Sequence, residues 1–270
     1  MSSVMQLHAT QYGDSQNGRN KNGSPVIILH GLFGSSRNWH AIARALSDRH
    51  IVYALDLRNH GKSPHADAMD YPSMAQDVLD FIEQELQPPQ MQPVNIVAHS
   101  MGGKVAMWLA LSKPEIVQKL VVVDIAPVIY EHDFEEVLAG FQSIPLLSIK
   151  SRQDADGYLS DFIVQPALRQ FLLQNLQFKD GKYRWRLNLE AIIHSMSCIA
   201  GFPDTKEIEP FARRVLFIGG GQSAYLSQAK QKLTRQLFPL ASFSMIKSAG
   251  HWLHAEQPEL FTALVKPYLS

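Results

Sequence analysis

The chain has 270 residues, with 25 basic and 25 acidic side chains that cancel to a formal net charge of zero. This balance disfavours a nucleic-acid partner or an anionic membrane surface, and no uninterrupted apolar stretch reaches the roughly 20 residues that span a bilayer. Cys198 is the single cysteine, so no disulfide forms within the chain. Residues Met1 to His8 lack the basic and apolar regions of a secretion signal, and a cytoplasmic location is expected. Nothing in the sequence indicates the oligomeric state.

Short apolar runs alternate with amphipathic stretches through the first half of the chain. The apolar runs predict strands at 4–12, 25–29, 51–55, 94–98 and 119–123. Spacing typical of helices occurs at 38–46, 73–86 and 101–112, with Ser73 as the expected N-cap of the second helix. This alternation predicts βαβ units and therefore a mostly parallel, doubly wound α/β sheet.

The pattern changes between residues 128 and 202, where helical spacing dominates. Helices are predicted at 134–141, 155–162, 167–176 and 189–199, with one weak strand at 183–186. The strand pattern returns at 215–218 and 242–246, with helices at 227–237 and 259–269. We therefore predict an α/β core formed by residues 1–127 and 203–270, interrupted by a mostly helical insertion of residues 128–202.

Ser100 lies between a predicted strand and a predicted helix, with Ala98 and Gly102 two positions away on either side. Small residues at these positions are required where a strand turns so sharply into a helix that larger side chains would collide. This arrangement is typical of a nucleophile elbow, in which the serine hydroxyl is exposed at the top of the sheet. The motif favours a serine hydrolase with Ser100 as nucleophile.

A glycine-containing loop, His30 to Ser36, directly follows the strand 25–29. Loops at the carboxyl ends of parallel strands are where open α/β sheets bind ligands. The backbone N–H of Leu32 could join that of Met101 in an oxyanion hole that stabilises a tetrahedral intermediate. Phe33 is the alternative donor, and a simple glycine turn is the alternative interpretation of the loop.

His251 is the candidate general base. A serine needs a base to accept its proton, and neutral imidazole is the usual one. His251 follows the last predicted strand in the sequence Gly250-His251-Trp252, and the order serine before histidine agrees with the elbow interpretation. A metal site formed with His254 is disfavoured because no carboxylate or cysteine lies at ligand spacing.

The acid that would orient His251 has several candidates. The loop 219–225, where the acid of such a sheet usually lies, contains no carboxylate. Asp124 at the end of the strand 119–123 is the preferred alternative, although an aspartate at a strand end can also cap a turn. Asp204 precedes a strand and is less favoured, and Asp56 is interpreted as holding the shape of its own loop.

The loop that follows Asp56 contains Arg58-Asn59-His60-Gly61, which could line the pocket but is more typical of a structural connection. Two other motifs are incomplete. Gly103-Lys104 lacks the Ser or Thr and the leading glycine of a phosphate loop, and Gly219-Gly220-Gly221 lacks dinucleotide-binding spacing. No metal motif is present, so neither a cofactor nor a metal is expected.

Taken together, these residues resemble the α/β-hydrolase superfamily, and most closely the YbfF-like esterases and their eukaryotic relatives. The resemblance depends on the following motifs: His30-Gly31-Leu32-Phe33-Gly34-Ser35, Asp56-Leu57-Arg58-Asn59-His60-Gly61, His99-Ser100-Met101-Gly102-Gly103-Lys104, Val123-Asp124-Ile125-Ala126-Pro127, Arg184-Trp185-Arg186-Leu187-Asn188-Leu189 and Gly250-His251-Trp252. It implies an α/β-hydrolase fold with a helical cap inserted after the sixth strand, and an acid after the strand 119–123. It also implies hydrolysis of short- to medium-chain carboxylic esters, with acyl-CoA thioesters as a further substrate class and no cofactor.

The resulting hypothesis is a serine esterase that uses Ser100, His251 and Asp124 to form and hydrolyse an acyl-enzyme. Its partner is a small acyl ester or thioester. Cofactor-free haloperoxidase or perhydrolase chemistry and C–C bond hydrolysis remain alternatives, because the same scaffold serves them without new residues. Dehalogenases and epoxide hydrolases are disfavoured because they carry an aspartate where this chain has Ser100.

Overall fold

The computed structural model describes residues 5–13, 24–86, 93–131 and 134–270. Its strands are β1 (Ala9–Tyr12), β2 (Val26–Leu29), β3 (Val52–Leu55), β4 (Val94–His99), β5 (Val117–Val123), β6 (Leu176–Lys179), β7 (Lys182–Trp185), β8 (Val215–Gly220) and β9 (Ala241–Ile246). Its α-helices are α1 (His40–Leu46), α2 (Tyr71–Glu85), α3 (Met101–Ser112), α4 (Glu135–Ser143), α5 (Arg152–Ser160), α6 (Pro166–Leu173), α7 (Leu189–His194), α8 (Met196–Ala200), α9 (Gln228–Leu237), α10 (Leu253–Glu256) and α11 (Pro258–Leu269).

The described strands of the main sheet follow the order β1-β3-β2-β4-β5-β8-β9. Strand β1 pairs antiparallel with β3, and the other neighbours in this sheet pair in parallel. The predicted mostly parallel sheet is therefore confirmed. Because parallel strands end at the same edge, the loops after β2, β4, β5, β8 and β9 are brought together there.

Both faces of the sheet are buried along its inner strands, which explains why strands such as β2 and β8 are continuous apolar runs. In β2, Ile27 and Leu29 pack on the side of α2 and α3. Val26 and Ile28, which alternate with them, pack on the opposite side with α1 and α11. The central strand β4 is buried along its whole length. A rigid sheet of this kind fixes the positions of the loops at its edge.

The stretch between β5 and β8 contains five helices, α4 to α8, and a hairpin formed by β6 and β7. The family resemblance implies that this insertion follows the sixth strand. In the described chain it follows the fifth, because a single strand precedes β2. The predicted helix 167–176 ends at Leu173. Residues from Leu176 onward pair antiparallel with β7 instead, across an Asp180-Gly181 turn with φ values of 53° and 73°. Positive φ at both positions is typical of the two-residue turns that favour hairpins.

Three other boundaries differ from the prediction. Helix α2 is capped by Asp70 and not by Ser73, since the Asp70 side chain accepts from the Ser73 N–H at 2.8 Å. The predicted helix 189–199 is divided into α7 and α8, which meet at Ser195. Strand β1 begins only at Ala9, and Val4, the first residue of the predicted strand 4–12, lies outside the described residues. No helix in the described chain is long and apolar enough to cross a membrane.

Candidate active site

Ser100 lies in a strained turn between β4 and α3. Its φ of 51° and ψ of −120° fall in a region that L-residues rarely adopt. The turn is held from both sides, because the Ser100 N–H donates to the Val123 carbonyl at 3.0 Å and the Ser100 carbonyl accepts from the Lys104 N–H at 3.1 Å. This geometry matches the predicted elbow and places Ser100 in the wall of a cavity.

The glycine that follows the turn has no space for a side chain. A Cβ at Gly102 would lie 2.4 Å from the carbonyl oxygen of His30 and 2.9 Å from the Cβ of Leu29. Ala98 is fully buried on the other side of the turn. The close approach of α3 to the end of β2 therefore explains why small residues flank Ser100 in the sequence.

His251 and Asp124 are joined by a hydrogen bond, in which the Nδ1–H of His251 donates to Oδ2 of Asp124 at 2.8 Å. Asp124 is fully buried and has a φ of 50° at the tip of β5. In the parallel register His99 pairs with Val123, so Ser100 and Asp124 directly follow paired positions on neighbouring strands. The structure thus brings the preferred acid to the candidate base, and His251 lines the same cavity as Ser100.

The end of β8 and the loop that follows it contact Asp124, although neither contains an acid of its own. The Gly220 N–H donates to Oδ1 of Asp124 at 3.0 Å, and the Ser223 hydroxyl donates to Oδ2 at 2.5 Å. Asp204, the alternative acid, is exposed and forms an ion pair with Lys206 at 3.3 Å. The structure therefore brings Asp124, and not Asp204, to His251.

Two residues that the sequence did not single out hold His251 in place. The Tyr225 ring stacks on the imidazole with centroids 4.0 Å apart and an interplanar angle of 22°. The Nε2–H of His99 donates to the His251 carbonyl at 2.9 Å. Burial first, and then the neighbouring imidazoles His251 and His254, lower the pKa of His99 well below its ordinary value. A neutral His99 keeps one ring N–H, which it donates in this hydrogen bond. No local sequence pattern predicts the contact between His99 and His251.

The loop after β2 presents Leu32 to the same cavity. The next amide, that of Phe33, is already engaged, since its N–H donates to Nε2 of His60 at 3.1 Å. His60 is fully buried and its Nδ1–H donates to the Arg58 carbonyl at 2.9 Å. Burial lowers the pKa of His60 to about 3, so its Nε2 remains an acceptor at neutral pH. The Phe33 N–H is therefore engaged within the protein, which favours Leu32 as the candidate oxyanion donor.

The loop 56–63 has the structural role that its sequence favours. Both carboxylate oxygens of Asp56 accept backbone N–H groups, from Ser36 at 2.7 Å and from Lys62 at 2.9 Å. Arg58 makes a two-point contact with Asp77 at 2.6 and 2.7 Å. These bonds tie the loop to its neighbours and thereby support the turn that carries Leu32.

The cavity that Ser100 and His251 line has a volume of about 280 Å³. Its apolar wall comes mainly from the insertion and from the residue after His251: Phe134, Val137, Leu168, Phe171 and Trp252. Phe141 and Ile163, two further apolar residues of the insertion, are instead buried in the core. Small-molecule sites typically measure roughly 300–1,000 Å³, so this pocket suits a small ligand.

His254 does not form a metal pair with His251. Its ring stacks on Trp39 with centroids 4.1 Å apart and an interplanar angle of 1°. Burial lowers the pKa of His254 to about 3. Within the part of the chain that the structure describes, no group of three or more His, Cys, Asp or Glu residues could hold a metal ion.

Comparisons with known proteins agree with this fold. The alpha/beta hydrolase fold family matches residues 24–258. The sn-1-specific diacylglycerol lipase ABHD11 of Xenopus laevis is 40% identical over 249 residues, covering 88% of this chain and 77% of that protein. Esterase YbfF of Escherichia coli (strain K12) is 35% identical over 252 residues, covering 92% and 94%. The solved structure of a marine microorganism esterase has a TM-score of 0.90 at 39% identity, covering 98% and 99% of the two chains.

The fold and these matches together define an α/β hydrolase, and the chain belongs to that family. Within the family it resembles the esterase YbfF, as its sequence motifs predict.

Proposed function

We propose that this carboxylic ester hydrolase works through a triad of Ser100, His251 and Asp124. The observation that carries the proposal is the 2.8 Å hydrogen bond from His251 to the buried Asp124, at a cavity that both His251 and Ser100 line. The bond uses Nδ1 of His251 and leaves Nε2 as the acceptor. That tautomer is the one a general base needs to take a proton from a serine hydroxyl.

In the first half of the reaction, Oγ of Ser100 attacks the acyl carbonyl carbon while Nε2 of His251 accepts the hydroxyl proton. The carbonyl oxygen then carries the negative charge of the tetrahedral intermediate. The N–H groups of Leu32 and Met101 stabilise that charge, and the start of α3 adds its favourable dipole there. Collapse of the intermediate breaks the bond to the alcohol, which leaves with the proton from His251 and generates the acyl-enzyme.

In the second half, His251 accepts a proton from water, whose oxygen attacks the acyl-enzyme carbonyl. The second intermediate collapses to release the carboxylic acid, and the proton returns to Ser100. Asp124 keeps its charge throughout and stabilises the imidazolium that forms twice in each cycle. Gly220 and Ser223 hold the carboxylate in position by donating to it.

The substrates we propose are esters with short- to medium-chain acyl groups, and acyl-CoA thioesters are a further class. The apolar wall of the cavity suits an acyl chain, and its volume of about 280 Å³ favours a small one. The names of the relatives, an esterase and a diacylglycerol lipase, support oxygen esters. We further propose that residues 128–202 act as a cap on a core of residues 1–127 and 203–270, since Phe134, Val137, Leu168 and Phe171 supply the acyl-facing wall.

Covalent labelling with a fluorophosphonate tests the nucleophile. The reagent should add once to the wild-type protein, on the peptide that contains Ser100, and Ser100→Ala should neither be labelled nor hydrolyse p-nitrophenyl butyrate. The expected loss in kcat is on the order of 10⁴ or more. Ser248→Ala, which removes an exposed hydroxyl near His251, is the matched control. Near-normal turnover by Ser100→Ala would overturn the proposal.

Turnover of p-nitrophenyl esters and of acyl-CoA thioesters, each from two to twelve acyl carbons, tests the substrate class. We expect kcat/KM to be highest for acyl groups of short to medium length and to fall for the longest. A kcat/KM that rises steadily with acyl length up to twelve carbons would contradict the proposed acyl pocket.

A further inference from the structure

A second cavity, of about 290 Å³, lies next to the catalytic one and has a different character. The two are separated by a hydrogen bond at 2.8 Å from the side-chain amide of Asn38, which lines the catalytic cavity, to Gln174, which lines the second. The walls of this second cavity are polar. Four cationic side chains and one carboxylate contribute to it: Arg37, Lys62, Arg152, Arg186 and Asp56.

The single carboxylate is already engaged by the protein. Both oxygens of Asp56 accept backbone N–H groups, from Ser36 and from Lys62. Asp56 therefore holds two loops together and does not pair with the guanidinium groups through a salt bridge within the described residues. The cavity is left with an excess of positive charge in a chain whose total charge is zero.

Arg186 is the least exposed of these cations. Its side chain is half-buried, and its Nε is buried without a hydrogen-bond partner among the described residues. A buried guanidinium N–H that lacks an acceptor is unfavourable because its lost hydration is not replaced, so such groups usually face a ligand or an acceptor. Arg37 and Arg152 line the same cavity as Arg186. Burial, and then the like charges of these two neighbours, lower the pKa of Arg186.

The four cations come from separate parts of the chain, and only the fold brings them together. A nearby arginine shows the contrast. Arg184 lies two positions before Arg186, is exposed, and forms an ion pair with Asp180 at 3.6 Å. Arg184 does not line the cavity. The four cations of the cavity wall differ from Arg184 in that none of them forms an ion pair with a carboxylate of the described residues.

We propose that this cavity binds a phosphate group. Guanidinium groups donate pairs of parallel hydrogen bonds to phosphate oxygens, and a tetrahedral dianion can accept from several of them at once. The unpartnered Nε of Arg186 gains an acceptor, and the mutual repulsion of Arg37, Arg152 and Arg186 is relieved. The phosphate belongs either to a free ion or to a nucleotide whose other end reaches towards Ser100.

Isothermal titration of the full-length protein with inorganic phosphate at low ionic strength tests the site. We expect saturable binding of one ion, weakened about ten-fold or more by Arg186→Gln, which corresponds to one lost charge-assisted contact. Arg152→Gln, at an exposed position, should weaken binding in the same direction. The control Arg184→Gln should stay within about two-fold of wild type. Thermal unfolding curves check that both variants are folded. Absence of saturable binding to the wild type, or equal phosphate affinity in Arg186→Gln and Arg184→Gln, would overturn the proposal.

Titration with adenosine 3′,5′-bisphosphate distinguishes the two sources of phosphate. If the phosphate belongs to a nucleotide, the bisphosphate should bind about ten-fold or more tightly than inorganic phosphate, and Arg186→Gln should weaken its affinity by the same factor. A free ion predicts no such gain. Because both titrations measure binding and not turnover, their outcome is independent of the proposed triad.

Discussion

The Nδ1–H of His251 donates to Oδ2 of Asp124 over 2.8 Å, and this bond joins two residues 127 positions apart. Asp124 directly follows β5, whereas His251 follows β9, and β8 lies between these two strands in the sheet. The intervening strand and its loop contribute Gly220 and Ser223, which donate to the carboxylate. The loop after β8 therefore serves as a support for the acid on the neighbouring strand.

Ser223→Ala tests this support. The substitution removes a hydroxyl that donates to Oδ2 of Asp124 at 2.5 Å. A hydrogen bond to a charged group contributes about 1.5–3 kcal/mol, so kcat on p-nitrophenyl butyrate should fall about ten-fold or more. Ser223→Thr keeps the hydroxyl and should recover most of the rate. If Ser223→Ala retained the wild-type kcat, the hydroxyl would have no part in positioning Asp124.

Gly102→Ala tests the elbow. The new methyl group would collide with the backbone of His30, which lies 2.4 Å from the ideal Cβ position. We expect a fall in thermal stability together with a loss of activity, because β2 and α3 must separate and the Leu32 amide moves with β2. Overpacking of this kind costs about 1–3 kcal/mol or more.

The matched control is Gly157→Ala, on α5, where no atom outside the neighbouring residues and the backbone of the helix itself lies within 4 Å of the ideal Cβ position. Alanine is favoured over glycine in a helix by about 0.5–1 kcal/mol, so this variant should be at least as stable as the wild type. Equal stability and activity in both glycine variants would contradict the tight approach at Gly102.

Val137→Phe tests the acyl pocket. Val137 lines the cavity beside Ser100, and a larger side chain there would reduce its volume of about 280 Å³. The ratio of kcat/KM for p-nitrophenyl acetate to that for p-nitrophenyl octanoate should rise about ten-fold, the scale on which pockets discriminate by small changes in chain size. Val164→Phe, at a position that is 82% exposed, should leave the ratio unchanged. An unchanged ratio in Val137→Phe would place the acyl chain elsewhere.

His254→Phe tests the pH dependence of stability. The pKa of His254 is lowered by burial to about 3, whereas its ordinary value is 6.5. Between these values the unfolded chain binds a proton that the folded protein does not, so the free energy of unfolding falls as the pH falls from 6.5 towards 3. One such group contributes a slope of up to about 1.4 kcal/mol per pH unit.

Phenylalanine removes this proton but keeps an aromatic ring against Trp39, on which His254 stacks at 4.1 Å. Urea unfolding is measured between pH 4 and pH 8. The free energy of unfolding should fall less steeply with decreasing pH for His254→Phe than for the wild type. Above about pH 7.5 the two curves should run parallel, since the imidazole is neutral in both states there. Parallel curves over the whole range would show that His254 does not titrate as its burial implies.

Much of the fold could be predicted because its signals are local. The runs of β2, β4 and β5 are apolar on both faces of the sheet, and the small residues around Ser100 follow from the sharpness of one turn. The choice of Asp124 depended on a loop without a carboxylate, which is visible in the sequence.

The remaining features depend on contacts between distant segments. Tyr225 and His99 contact His251 only once the sheet has assembled, and the acceptor for the Phe33 amide comes from His60, 27 residues away. The weak strand predicted at 183–186 corresponds to β7, but the sequence does not predict its partner β6. Asp180-Gly181 is a local turn signal, but the apolar spacing before it also fits a helix.

The comparison of Asp124→Asn with Asp204→Asn tests the central claim most directly. In Asp124→Asn the buried partner of His251 loses its charge, and kcat on p-nitrophenyl butyrate should fall by about 10⁴. Asp204 is exposed and paired with Lys206, so Asp204→Asn should stay within about two-fold of the wild type. A loss of activity in Asp204→Asn with Asp124→Asn unaffected would contradict the proposed triad.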